Sequence, residues 1–410
     1  MGSDDWVRIV QKYGGTSVAD IERIERVADR VERAYRNGHE VVVVVSAMGH
    51  TTDGLVAMAR EIDRYPAPRE MDALLSTGEQ VSAALVAMAL CKRGLQARSY
   101  TGWQAGIETE PVHGAARMTR IAENALQAAL QAGVIAVVTG FQGISDGAVT
   151  TLGRGGSDTT AVAVAAVLAA DACEIYTDVA GVFTTDPRVV PTARKLDVIS
   201  YDEMLELANL GAQVLHPRAV ENAKQFGVLL MVKSSFGEEE GTSVVAISEG
   251  FEQRDIVTGI AFEREVAQIA LTGMPLHRHG LATVFGELAS RGVNVDVIVQ
   301  TVVQSGAIDV SFTVQEGDAA HALDVLHSLS DTLGTKSITS QQGLAKVSIV
   351  GAGMISNPGV AAQMFRVLAD CDVVIHMVST SEIKVSCIIN AEQVNLAVQS
   401  LHQSFLERNC

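Results

Sequence analysis

Hydrophobic periodicity divides the chain into two regions of different build. Val7 to Gln11 reads as a short strand ending in a glycine-rich loop. Ile21, Ile24, Val27, Ala28, Val31 and Tyr35 then recur on one face of a helix. The unbroken run Glu40–Val45 predicts a strand buried on both faces, followed by the loop Ser46–His50. Thr77-Gly78-Glu79 predicts the opening of another helix, with Val81, Leu85 and Met88 on its apolar side. Val134–Thr139 is the next strand, a helix is expected from Thr159 to about Ala169, and Glu174–Asp178 forms a further strand end. Strand, loop, helix, strand is βαβ construction, which builds a mainly parallel sheet and gathers ligands at the carboxyl ends of its strands. This large α/β domain is expected over residues 1–248, with Glu238–Gly241 a solvated turn near its end.

The remaining chain repeats itself. An offset of eighty pairs Gly273 with Gly353, Phe285 with Phe365, Leu288 with Leu368 and Val295 with Ile375. Each copy reads strand, turn, helix, strand, strand, helix. Two small α+β modules are therefore expected, over 249–338 with its linker and over 339–410.

Composition narrows the function classes. Only 4% of the 410 residues are aromatic against 48% hydrophobic, so the core must be aliphatic. A formal charge of -17 argues against general binding to nucleic acid or to an anionic membrane. No apolar run reaches membrane-spanning length, and the opening MGSDDW has no basic-then-apolar signal segment, so a cytoplasmic location is expected. The five cysteines lack metal-like spacing and are expected to be reduced.

Two loops carry the candidate chemistry. Lys12 stands beside Gly14 and Gly15 directly after a strand, where an ammonium and close-approaching amides can stabilise a transferring phosphoryl group. This is neither GxxxxGK[ST] nor GxGxxG. In GRGGSD, Arg154 can grip a carboxylate with its planar fork, Gly155 and Gly156 let backbone approach a ligand, and Ser157 can bind an oxygen. Asp158 either orients Lys12, a substrate ammonium or water around magnesium, or caps the following helix. Glu79 either meets a cationic amine or is a first-turn glutamate stabilised by helix amides. Thr177, Asp178, Asp186 and Arg188 suit a nucleotide-facing rim, although Asp186-Pro187 is also ordinary turn chemistry. His50 and His216 have no convincing ligand set, so no metal-ligating residue is assigned.

The phrases VQKYGGTSV (Val10–Val18), TGEQVS (Thr77–Ser82), TTLGRGGSDTTA (Thr150–Ala161), EIYTDVAGVFTTDPR (Glu174–Arg188), GAQVLHPRA (Gly211–Ala219) and STSEIKVS (Ser379–Ser386) fall in order along nearly the whole chain. In these the chain resembles the aspartokinases of the amino-acid kinase family. The resemblance implies an amino-acid-kinase domain followed by two ferredoxin-like ACT domains. It also implies transfer of phosphate from ATP, with Mg²⁺, to the side-chain carboxylate of L-aspartate, the first step toward lysine, threonine and methionine. Carried over residue by residue, Lys12 stabilises the phosphate, Arg154 binds the substrate α-carboxylate, Glu79 meets its ammonium, and Ser46 and Thr51 line the pocket. Asp158 organises the transfer centre, while Thr177, Asp178, Phe183, Asp186 and Arg188 lie near ATP.

The same resemblance makes the C-terminal modules amino-acid sensors, with Asn294, Asp296, Gln300 and Asn357 near an effector, and threonine or lysine as expected inhibitors. The phrase Leu276–His279 departs from the Asp-x-Pro-Gly-like turn of relatives. A homodimer through the ACT domains is expected, and some relatives also use a separate small subunit. A kinase acting on glutamate or N-acetylglutamate, and a sensor without catalysis, are the alternatives left open.

Overall fold

A computed structural model of the chain describes residues 8–210, 214–246, 256–276, 279–303, 306–354, 357 and 359–407. Trp6, Val7, Gly211–Gln213, His277, Arg278, Pro358, Cys410 and the expected boundary at residue 248 lie outside the described residues. The chain divides into two compact units. The first comprises Met1–Val182, Lys195–Asn209 and Gln213–Gly250, and the second Phe183–Arg194, Leu210–Ala212 and Phe251–Cys410.

In the first unit the strands are β1 (Arg8–Tyr13), β2 (Glu40–Val45), β3 (Ala97–Tyr100), β4 (Ile107–Thr109), β5 (Met118–Ile121), β6 (Ile135–Thr139), β7 (Gln142–Ser145), β8 (Ala148–Thr151), β9 (Ala172–Thr177), β10 (Val198–Ser200), β11 (Leu230–Ser234) and β12 (Thr242–Val245). Eight of them form one sheet in the order β10-β12-β11-β9-β1-β2-β6-β3, parallel except where β11 meets β12. The Val run of β2 is fully buried because helices cover both faces of its sheet. A smaller sheet, β5-β4-β7-β8, delivers β8 into the GRGGSD loop.

Among the described residues, seven α-helices belong to this unit: α1 (Ile21–Arg36), α2 (Thr51–Ile62), α3 (Pro68–Lys92), α4 (Asn124–Gln131), α5 (Gly156–Val167), α6 (Tyr201–Asn209) and α7 (Pro217–Phe226). The α1 stripe buries Ile24, Val27, Ala28 and Val31, and Asp20 caps its first turn by accepting from Arg23 N at 2.9 Å. Ile21 instead points outward from the first turn, 58% exposed.

Helix α3 departs from the sequence expectation. It starts at Pro68, where a proline loses nothing because the first-turn amides have no helical partner, so Thr77–Glu79 lie mid-helix. Val81 and Met88 face outward, and the helix buries Ser82, Ala83, Val86 and Ala87. Small residues let it lie close to the sheet, Val86 and Leu90 are buried with them, and Leu85 packs against the same core. By length and composition α3 could cross a membrane. Half of its most apolar stretch is nonetheless buried within the protein, and the helix carries the buried Asp72 and Glu79. Helix α5 begins three residues earlier than Thr159, because Gly155 adopts a left-handed turn (φ 71°) that starts the helix at once. Asp158 therefore sits inside the first turn and is not its cap.

In the second unit, β13 (Gly259–Pro275), α8 (Gly280–Ser290), β14 (Ile298–Val303), β15 (Ala307–Gln315) and α9 (Ala319–Leu333) form the first repeat. The second is β16 (Ser337–Val350), α10 (Val360–Asp370), β17 (Ile375–Thr380), β18 (Lys384–Asn390) and α11 (Val394–Phe405). Their strands join in one six-stranded sheet, β14-β15-β13-β16-β18-β17. The long β13 and β16 pair antiparallel from Gly259/Val350 to Thr272/Ser337, so they run through both modules. Segment Phe183–Arg194 belongs to this unit, and Val190 is buried in the core of the second module.

Candidate active site

Strand alternation sends Lys12 and Gln11 to opposite faces of the sheet. On the Lys12 side lies a cavity of about 300 Å³, entirely within the first unit. Its wall combines Lys12 and Gly15 from the end of β1, Ser46 and Ala47 after β2, Glu79 from α3, and Gly153–Asp158 around the start of α5. Apart from Glu79, which comes from the middle of α3, these segments follow strand ends or begin helices, so unpaired backbone amides converge there.

The Lys12 ammonium lies 2.6 Å from Asp158 Oδ1, and the side chains are 11% and 14% exposed. The contact is close, yet its alignment falls short of a hydrogen bond at that oxygen. The ion pair holds Lys12 at the cavity wall.

Glu79 is brought in by a close approach. A Cβ at Gly78 would stand 2.8 Å from that of Ala47, so only glycine lets α3 settle on the strand end. One Glu79 oxygen then accepts from Ala47 N at 3.1 Å, while Oε2 is buried without a partner. Burial pushes this carboxyl up to about 7, with the amide hydrogen bonds opposing. An ammonium from a ligand would supply what Oε2 lacks.

Arg154 is exposed and makes no side-chain hydrogen bond or ion pair among the described residues. Its loop is rigidly backed: Gly155 lies so close to His216 that a Cβ there would be 2.0 Å from the imidazole Cγ. Arg218 donates to Leu152 O at 2.7 Å, holding the residue that leads into the loop. His216 accepts from Arg218 N at 3.3 Å, and burial lowers its basicity. It serves as a spacer under the loop.

Other expected residues fall differently. Thr51 turns its hydroxyl to Met48 O at 2.6 Å, and its neighbour Thr52 lines the cavity. Gly14 does not line it; its amide donates to Tyr176 O at 3.3 Å. Thr177 and Asp178 end β9 and bond each other at 3.1 Å. Phe183, Asp186 and Arg188 belong to the second unit, where Arg188 N and Nη2 each donate to the Asp186 carboxylate at 2.8 Å and hold it below its ordinary value. Sequence reasoning missed Thr52 and Phe141. The latter lines the cavity with φ 71°, and its position directly after Gly140 at a strand end was the available signal.

A second cavity, of about 200 Å³, lies on the Gln11 side. Its central carboxylate, Glu174, is already saturated by Gln11 at 2.8 Å, Tyr176 at 3.0 Å and Lys233. Among the described residues, the expected effector positions also have defined surroundings. Asp296 pairs with the buried Lys346, which also meets Glu263 at 2.6 Å. Asn357 donates to Gly353 O at 2.7 Å, whereas Asn294 and Gln300 are exposed.

A lysine, an arginine and an unsatisfied carboxylate around a helix N-terminus define a site for a zwitterionic ligand together with phosphate. The family model described as the amino acid kinase family matches residues 7–234, and one described as the ACT domain matches 269–329 and 347–405. Aspartokinase from Bacillus sp. (strain MGA3) is 56% identical over 97% of each chain, and aspartokinase 2 of Bacillus subtilis (strain 168) is 54% identical over the same shares. The solved structure of E. coli aspartokinase III in complex with aspartate and ADP superposes with a TM-score of 0.83 at 29% identity, covering 97% of this chain and 100% of that one. The chain belongs to the aspartokinases, aspartate kinases of the amino acid kinase family with C-terminal ACT domains.

Proposed function

We propose that the chain transfers the γ-phosphate of ATP to the side-chain carboxylate of L-aspartate, giving 4-phospho-L-aspartate and ADP. The observation that carries this reading is the pairing of an unsatisfied Glu79 oxygen with an uncommitted Arg154 in the Lys12 cavity. Glu79 takes the substrate ammonium and Arg154 its α-carboxylate, leaving the side-chain carboxylate as nucleophile. Ser46, Gly155, Gly156 and Ser157 line the substrate's surroundings. One carboxylate oxygen attacks the γ-phosphorus as the bond to the β–γ bridging oxygen breaks, and ADP leaves with that electron pair. A carboxylate is ionised at neutral pH, so no general base is required. Lys12 and the first-turn amides of α5 stabilise the charge spread over the transferred oxygens.

Thr177, Asp178, Phe183, Asp186 and Arg188, with Gly14 and Gly15 of the lysine loop, are assigned to the nucleotide by their place in the family's phrases. Among the described residues no group of three metal-ligating side chains occurs. Mg²⁺ carried by the nucleotide phosphates, with Asp158 nearby, would keep several waters and need only one or two carboxylates. It would neutralise charge across the β and γ oxygens. The reaction opens the cytoplasmic route to diaminopimelate, lysine, threonine and methionine.

Regulation by lysine or threonine through Asn294, Asp296, Gln300 and Asn357 is part of this reading. The structure of E. coli aspartokinase III in complex with lysine and aspartate supports its lysine part (TM-score 0.77, 29% identity). The edge strand β14 is exposed along its whole length, with Ile298 at 50% and Val302 at 63%, which supports a homodimer formed through the ACT domains. Native mass spectrometry distinguishes that dimer from an assembly with a separate small subunit.

The test is ADP formation with Mg²⁺ and aspartate, glutamate or N-acetylglutamate as acceptor. Turnover selective for aspartate and lost by about 10²–10³-fold in Lys12→Ala is expected. Turnover with another acceptor, or turnover unchanged in Lys12→Ala, overturns the assignment.

A further inference from the structure

Helix α3 carries a second acidic residue two turns before Glu79. Asp72 is fully buried, at 0% exposure, and the reaction as described makes no use of it. A spacing of seven puts Asp72 and Glu79 on the same helix face. A buried carboxylate must be compensated by hydrogen bonds, and Asp72 collects donors from two separate segments. Thr151 Oγ1 donates to Oδ1 at 2.5 Å, Gly114 N reaches both oxygens at 3.1 Å, and His113 Nδ1 contacts Oδ2 at 2.7 Å.

Each of those partners leads to the Arg154 loop. Thr151 ends β8, only three residues before Arg154. Gly114 O would be 3.1 Å from a Cβ at Gly153, so the 113–114 segment lies directly against the loop's first glycine. Ala116 N donates to Thr151 O at 2.9 Å, which joins the two segments to each other. One turn farther along α3, Ser76 O accepts from Gln142 Nε2 at 2.9 Å and fastens the helix to β7 in the same way. Thr151, Gly114 and His113 therefore all converge on a single carboxylate, Asp72, while Ser76 holds β7.

We propose that Asp72 is a positioning residue that fixes Arg154 relative to Glu79. It thereby sets affinity for an amino acid held by its ammonium and its α-carboxylate at once. The inference rests on the reading of Glu79 and Arg154 as the two grips. Asp72 does not line the Lys12 cavity. Its loss lets the loop and the helix drift apart, which weakens the two-point hold on the amino acid but leaves the Lys12–Asp158 pair in place. Misplacement by about 1 Å is worth up to about 100-fold in such a site.

The experiment measures KM for aspartate and for ATP, kcat and melting temperature in the full-length protein and in Asp72→Asn. It adds Thr151→Val, which removes a single donor without changing shape, and Thr151→Ser, which keeps the hydroxyl. Expected are a rise of about tenfold in aspartate KM for Asp72→Asn and Thr151→Val, ATP KM within about twofold, and near-parental values for Thr151→Ser. The double variant Asp72→Asn/Thr151→Val should add little to either single change, because both break the same tie. A fall in melting temperature with both KM values unchanged, or rising in parallel, overturns the proposal and leaves Asp72 structural. Glu79→Gln and Arg154→Ala measured alongside separate the two failures. If these also leave aspartate KM unchanged, the reading of the grips has failed; if only they raise it, the positioning role has.

Discussion

Replacing Glu79 by Gln tests whether its carboxylate is held in waiting for a positive charge. The side chain is 3% exposed, one oxygen has no partner, and burial moves its titration from an ordinary 4.5 to about 7. Because the folded protein holds this proton more tightly than the unfolded chain, the group's contribution to stability is fully present below about pH 4.5. It is lost as pH rises through about 7. At about 1.36 kcal/mol per pKa unit, ionising the site costs the substrate-free protein about 3 kcal/mol above pH 7. Glutamine occupies the same volume and does not titrate, so Glu79→Gln should gain on the parent by about that amount between pH 5 and pH 8. Denaturant unfolding of both proteins across that range, without ligand, measures the difference. Aspartate should reverse it for the parent, since its ammonium pairs with the ionised carboxylate, and the parent's aspartate KM should rise as pH falls below 7. A stability difference that stays constant with pH would refute the reasoning, whatever the variant's activity.

Two further changes probe the scaffold. Gly155→Ala forces an L side chain into φ 71° and against the His216 ring, so a loss of at least about 1–2 kcal/mol in stability and about tenfold in kcat/KM is expected. Thermal melting and the ADP assay check it, and His216→Ala in the same chain should recover part of the stability. In the second unit, the fully buried His402 meets Thr184 Oγ1 through Nε2 at 2.9 Å and Glu407 through Nδ1 at 3.2 Å. His402→Leu leaves the Thr184 proton without an acceptor and should cost about 1–3 kcal/mol. Burial holds the imidazole below its ordinary 6.5 against the pull of Glu407, so the parent should lose stability as pH falls below 6.5. The leucine variant should lose less over that range in a melting series.

The residues that chemistry needs in sequence were legible, and those that tertiary structure brings together were not. Lys12 and Gly153–Asp158 could be read because each sits where a buried strand or helix stops, and that junction alone decides which groups face a ligand. The unbroken apolar runs of β2 and β6 pointed to a sheet buried on both faces for the same local reason. Helix α3 defeats that logic. Of Val81, Leu85 and Met88 only Leu85 packs against the core, because Gly78 against Ala47 demands a close approach that turns Ser82, Ala83, Val86 and Leu90 inward. Thr51 and Thr52 differ by one helical step, and nothing local says which hydroxyl will be taken by Met48 O.

Long-range exchange of elements is the deeper limit. The repeat suggested two closed modules, yet the first strand of each is long enough to pair with the other along its whole course. A deformation of β13 or β16 is therefore shared by both repeats. The segment Phe183–Arg194 behaves likewise: its phrase resembles the kinase family's nucleotide loop, while Val190 and Thr184 pack among residues of the second repeat. A stretch whose sequence belongs to one chemistry and whose core contacts belong to another module cannot be assigned by pattern alone. Lys195 follows Arg194 directly back into the first unit, so the chain leaves that unit at Val182 and returns to it only after contributing Val190 to the core of the second repeat.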